Sequence, residues 1–254
     1  TALAALMGIM FLGAWTADAD QELPRDQLHV YLLIGQSNMA GRAPVAEGEV
    51  GVIDRVLLLD DQGRWEPAKN PLNRHSTIRK GLGMQKMNPG YAFAQAMVEG
   101  REDLSVGLVV NAKGGTKIEQ WAKGTQFYEE AVRRAKEAGT TGTLRGILWH
   151  QGESNGGNPE GYLEKLKALV EALRNDLDAP DLPFVAGQVH QLPAINDQIA
   201  RLPAMVPRTG YVRSDGLTTM DRWHFDARSM RLLGQRYAVE KRKLESTAGA
   251  KAGK

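Results

Sequence analysis

The chain has no cysteine in its 254 residues. That excludes disulfides, a thiolate nucleophile and cysteine-held metal, so the core alone must hold the fold together. An excess of charge of one sign is also lacking. The formal net charge is only +2, with Lys and Arg scattered along the sequence, so there is no basic stripe of the kind nucleic acid demands. No apolar run reaches the ~20 residues needed to cross a bilayer. With five histidines in all, His29, His75, His150, His190 and His224, the choice of a catalytic base is short.

What is present begins with an uncharged apolar run, Leu3 to Trp15, followed by Thr16-Ala17-Asp18-Ala19-Asp20 with a small-x-small pattern. Residues 1–19 are read as a signal peptide, with a buried helix or a lipid-facing anchor as the alternatives; a signal peptide implies a secreted or periplasmic protein with no stable membrane insertion after processing. Residues 20–245 are expected to form one domain, and the small, polar residues 246–254 a disordered tail.

Short, almost wholly apolar runs recur: His29 to Ile34, Val56 to Leu59, Ser105 to Val110, Gly146 to Trp149, and Pro183 to Val189. Each reads as a strand covered on both faces. Helical stretches separate them, at Tyr91 to Glu99, Phe127 to Ala138, Glu160 to Leu177 and Ala227 to Leu244. In the third, Tyr162, Leu166, Leu169, Val170 and Leu173 share one apolar face. Alternating strands and helices predict an α/β fold, a three-layer α/β/α sandwich around a mainly parallel sheet of about five strands. Asp61-Gln62-Gly63 marks a small hairpin toward Arg64-Trp65-Glu66. The irregular stretch Asn70 to Pro89 is where a substrate pocket would be built.

Chemistry concentrates in four blocks. Gly35-Gln36-Ser37-Asn38-Met39-Ala40-Gly41 follows the first strand, and strand carboxyl ends face the ligand crevice of such a sheet. Ser37 is placed there as a nucleophile, although Ser37 and Asn38 could equally be capping a helix. In Asp221-Arg222-Trp223-His224 the acid three residues upstream can hold the imidazole Nδ1, making His224 the base and Asp221 its partner; Asp215 is a competing acid. Trp149-His150-Gln151-Gly152-Glu153-Ser154-Asn155 crowds polar side chains after a buried strand, where they must satisfy one another or a ligand. A side-chain amide there could join an oxyanion hole, while Glu153 could orient the loop or bind a substrate hydroxyl. Asn111-Ala112-Lys113-Gly114-Gly115-Thr116 allows close backbone approach, with the Gly115 amide as a second oxyanion donor. Neither its spacing nor any other matches a nucleotide loop. His150, Glu153 and His224 lack zinc-site spacing, so neither metal nor cofactor is expected.

In this order the four blocks resemble the SGNH hydrolase superfamily, in particular its branch of sialate O-acetylesterases and carbohydrate esterase family six acetylxylan esterases. Gly35-Gln36-Ser37-Asn38-Met39 is similar to the nucleophile block, Gly114-Gly115-Thr116 to the glycine block, His150-Gln151-Gly152-Glu153 to the HQGE signature, and Asp221-Arg222-Trp223-His224 to D-x-x-H. The resemblance spans about His29 to Ala238. It implies a triad of Ser37, Asp221 and His224, and an oxyanion hole made by the Ser37 and Gly115 amides and the Gln151 side chain. Gln36, Asn38 and Glu153 would bind substrate or orient loops. The implied activity is removal of O-acetyl groups from an acetylated oligo- or polysaccharide, acetylxylan or a similar glycan. A sialate O-acetylesterase is the alternative within the family, and a non-catalytic carbohydrate-binding protein the alternative outside it. Trp65, Trp121 and Trp223 would suit stacking on sugar faces, with plain core packing the competing role.

Overall fold

The computed structural model describes residues 24–252 of the chain. The expected signal segment, residues 1–19, lies outside them. Strand β1 (Leu28–Gly35) is buried at all eight positions, as a parallel strand must be when helices cover both faces. Its alternate residues serve two cores: Val30, Leu32 and Ile34 enter one, Tyr31 and Leu33 the other.

The remaining strands are β2 (Val56–Leu59), β3 (Trp65–Pro67), β4 (Ser105–Ala112), β5 (Thr143–His150), β6 (Phe184–Gly187) and β7 (Thr209–Val212). They form one sheet in the order β3-β2-β4-β1-β5-β6-β7. Every pairing is parallel except β2 with β3. One face carries α1 (Ser37–Ala40), α2 (Gly90–Val98) and α6 (Ala227–Ala252). The other carries α3 (Gln126–Ala138), α4 (Tyr162–Asp176) and α5 (Pro193–Met205). This is the expected three-layer sandwich, with seven strands rather than about five. One extra strand, β3, is the second arm of the expected hairpin. The other, β7, is a four-residue edge strand whose Gly210 removes the apolar pattern by which a strand is recognised.

Helix α5 was not legible either. Pro193 occupies its first turn, which costs no hydrogen bond, while Pro203 sits in its last. At the other extreme, α6 continues to Ala252, through residues expected to form a disordered tail. A long helix docked on the sheet extends past its docked part because each added residue gains a hydrogen bond on a nucleus already formed. No helix among the described residues is long and apolar enough to cross a membrane.

Two of the three tryptophans considered for sugar stacking serve packing instead. Trp121 is fully buried, with ring centroids 5.5 Å from those of Trp149 and Phe127. Trp65 packs over Gly107, where a Cβ would come within 2.7 Å of its ring, and its Nε1 donates to Thr141 Oγ1 at 2.8 Å.

Candidate active site

Strands β1, β4 and β5 lie side by side, so their carboxyl ends deliver three of the four sequence blocks to one edge of the sheet. Backbone bonds pin the outgoing loops together: Gln36 N–H donates to His150 O at 2.8 Å, and Lys113 N–H to Gly35 O at 3.1 Å. Gly35 makes that approach possible. Its φ is +137°, and a Cβ there would lie 2.2 Å from His150 O, so only glycine fits.

Ser37 opens α1 and lines a cavity of about 370 Å³ whose walls include Gln36, Gly114, Gly115, Glu153, Trp223 and His224. A larger groove of about 650 Å³ between β7 and α6 holds neither a serine nor a histidine in its walls. Of these two, only the cavity at the strand ends is lined by both Ser37 and His224.

His224 reaches this cavity from the turn before α6. Its Nδ1 lies 2.7 Å from Asp221 Oδ2, and Asp221 Oδ1 accepts the backbone N–H groups of Trp223 and His224, each at 2.8 Å. Partial burial pushes the Asp221 carboxyl pKa upward. The Trp223 amide, the His224 ring and the His224 amide outweigh that and bring it down to about 2. An ionised acceptor at Oδ2 requires the hydrogen on Nδ1, which leaves the Nε2 lone pair to accept a proton. The turn is tight, with Met220 N–H bonded to His224 O at 2.9 Å and a bridge between Thr219 and Phe225. The competing acid, Asp215, pairs with Arg213 instead.

The glycine block packs directly on Ser37. A Cβ at Gly114 would sit 3.4 Å from Ser37 Cβ and 2.7 Å from Arg42 Nη2. Among the described residues, neither the Ser37 nor the Gly115 N–H has an acceptor within the protein, so both are available to a ligand.

Gln151 is arranged differently from the expectation. Its side chain is wholly buried, and its Nε2 hydrogens go to Gln36 Oε1 (3.1 Å), Thr116 O (3.0 Å) and Asn155 Oδ1 (2.8 Å). With those acceptors competing for two hydrogens, none remains for an oxyanion. Gln151 is instead an anchor for Gln36, whose Oε1 also accepts Ser154 N–H at 3.2 Å. Asn38, beside the nucleophile, donates from Nδ2 to Glu153 Oε1 (2.6 Å) and to Trp223 O (3.0 Å), and accepts Phe225 N–H at 3.2 Å.

Arg42 and Lys80 also line the cavity and were not anticipated. Burial lowers the Arg42 pKa from its ordinary value. Its Nη1 is tied to Gly41 O at 2.7 Å and Met84 O at 2.9 Å, while Nη2 points toward Gly114. Neither cation has an ion-pair partner among the described residues. Arg42 follows the nucleophile block directly, and Lys80 belongs to the irregular stretch expected to build a pocket; no local pattern marks either as facing Ser37. Trp223 sits at the cavity wall as expected, with the Arg222 guanidinium 4.5 Å above its ring. No group of three His, Asp or Glu side chains among the described residues could hold a metal ion.

This architecture has relatives. A probable carbohydrate esterase of Arabidopsis thaliana is 35% identical over 176 residues, covering 61% of this chain and 66%, just under two thirds, of that protein. A solved Arabidopsis thaliana structure superposes with a TM-score of 0.75 at 29% identity, covering 87% of this chain and 98% of that one. A carbohydrate acetylesterase from Xanthomonas citri shares the fold, with a TM-score of 0.62 at 19% identity over 85% of this chain and 56% of that one. Residues 27–243 match the family described as carbohydrate esterase, sialic acid-specific acetylesterase, and the chain belongs to that family.

Proposed function

We propose that the chain is a serine esterase that removes O-acetyl groups from carbohydrate, acetylxylan or a similar acetylated glycan. The observation that carries this reading is the 2.7 Å bond from His224 Nδ1 to Asp221, on the wall of a cavity that Ser37 also lines. In the first step His224 Nε2 takes the Ser37 Oγ proton as Oγ attacks the acetyl carbonyl. The Ser37 and Gly115 amides receive the developing oxyanion, each supplying about 3 kcal/mol. Collapse expels the sugar oxygen, which leaves with the proton held by His224. Water then repeats the sequence on the acetyl-enzyme, releasing acetate and restoring Ser37. The apolar run Leu3 to Trp15 supports a place of action outside the cytoplasm.

The second reading, an acetylated sugar that also bears a carboxylate, such as a sialic acid, is favoured by Arg42 and Lys80 on the cavity wall. Acetate release across neutral acetylated polysaccharides and acetylated sialosides tests both. Ser37→Ala must abolish release while sugar binding persists; activity surviving in that variant eliminates the nucleophile assignment.

A further inference from the structure

Glu153 is a carboxyl group buried at the back of the cavity, and the mechanism above gives it no task. Its donors are Asn38 Nδ2, 2.6 Å from Oε1, and its own backbone amide. Oε2 is buried without any partner. The basic group within ion-pair reach, among the described residues, is His150, whose Nε2 lies 3.7 Å from Oε1.

His150 brings no positive charge to this pair. The Tyr237 hydroxyl gives its one hydrogen to Trp149 O at 2.7 Å, so at His150 Nδ1, 3.2 Å away, it can only accept. The imidazole hydrogen is thus on Nδ1, and Nε2 is a bare lone pair, itself buried without a partner. Burial also pushes the His150 pKa down to about 3, which opposes a second proton. The other groups facing Glu153 are the Tyr162 and Tyr237 hydroxyls and, across the cavity, His224, Arg42 and Lys80. None of these is within ion-pair distance. A carboxylate here would face a lone pair with one oxygen unsolvated. A neutral carboxylic acid removes that charge while Oε1 can still accept from Asn38.

We propose that Glu153 works as a neutral carboxylic acid, a positioning residue that acts through Asn38 to hold the loop carrying His224 against the helix carrying Ser37. The geometry of Asn38 makes the link. One Nδ2 hydrogen goes to Glu153, the other to Trp223 O, and Oδ1 takes Phe225 N–H. The two bonded peptide groups flank His224. Glu153 therefore selects the face of the Asn38 amide that can bond both, because a flipped amide would set Nδ2 against the Phe225 N–H. Ionisation places an uncompensated charge beside this clamp. Burial, only partly offset by the Glu153 backbone amide and Asn38, raises the Glu153 pKa to about 7, so that charge appears on the alkaline side.

The kinetic consequence rests on the esterase reading; the state of the carboxyl does not. Infrared difference spectra of wild type against Glu153→Gln should show a protonated carboxylic acid band at about pH 6, above the range where exposed carboxyls hold a proton, and the band should fade by about pH 9. In acetate release, Glu153→Leu should lower kcat about tenfold or more with little change in KM. Glu153→Gln, which can still donate and accept, should recover most of that loss. Absence of the band, or a Gln variant as damaged as the Leu variant, overturns the proposal, since either means that a carboxylate is present or required. Wild-type protein that releases no acetate sinks the esterase reading alone, because the infrared result still decides the protonation of Glu153.

Discussion

Asn38 holds His224 by its neighbours: its side chain bonds the carbonyl of Trp223 at 3.0 Å and the amide of Phe225 at 3.2 Å. Asn38 thus helps to set the position of His224, although the two lie 186 positions apart in the chain.

Truncating that clamp has a defined signature. Asn38→Ala leaves a peptide N–H and a carbonyl partly buried without partners, which should lower stability by about 1 to 3 kcal/mol. It should also lower kcat by up to about a hundredfold through misplacement of the imidazole, with KM little changed. Steady-state kinetics beside thermal melts separate the two effects. A lower melting temperature with normal kcat would reduce Asn38 to a packing role.

Protonation of Glu153 should be visible in stability as well as in rate. Its folded pKa of about 7 lies above its ordinary value of 4.5. The contribution of this group to stability is therefore full below about pH 4.5, and it is lost as pH rises through about 7, to an extent on the order of 3 kcal/mol. Glu153→Gln has no proton to lose. Its melting temperature relative to wild type should climb between those limits and level off above them. A difference independent of pH would show that the carboxyl is already ionised in the acid range.

Gln151 separates an anchoring role from a direct one. If its amide serves Gln36, Thr116 and Asn155, Gln151→Ala should cost about 1 to 3 kcal/mol of stability together with any loss of rate. A fall in kcat of a hundredfold or more at unchanged melting temperature would instead mark a direct oxyanion donor.

The cations at the cavity wall should decide between neutral and acidic sugars. Lys80→Glu, alone or with Arg42→Gln, should lower kcat/KM for an acetylated sialoside more than for acetylated xylan, and the gap should narrow as salt is raised. Equal losses on both substrates would remove the electrostatic reason for the second reading.

The strand runs and the helix faces were legible because burial on both sides of a parallel sheet writes itself into consecutive residues. In β1 every position is buried and all but His29 are apolar or glycine, and in α4 the five expected face residues are all buried. Thr209 to Val212 and Pro193 to Met205 were not legible, since an edge strand and a proline-bearing helix carry weak local patterns. Among site residues, Asp221 and His224 are three apart, so their pairing could be read from spacing. The amide of Gln151 could not: it is claimed by Gln36, Thr116 and Asn155, two of which come from other blocks. Trp121 was open to either role until Trp149 and Phe127 were seen against it.

The amino-acid sequence by itself determined which residue types are available for chemistry and the order in which they enter the chain, because spacing and apolar periodicity are local properties. Only the tertiary structure decided which polar groups are matched and which are not: Gln151 Nε2 spent inward, Arg42 and Lys80 on the wall of the cavity that Ser37 lines, and Glu153 isolated beside an uncharged His150. Hydrogen-bond satisfaction and desolvation depend on what lies across space, and no stretch of chain carries that information alone.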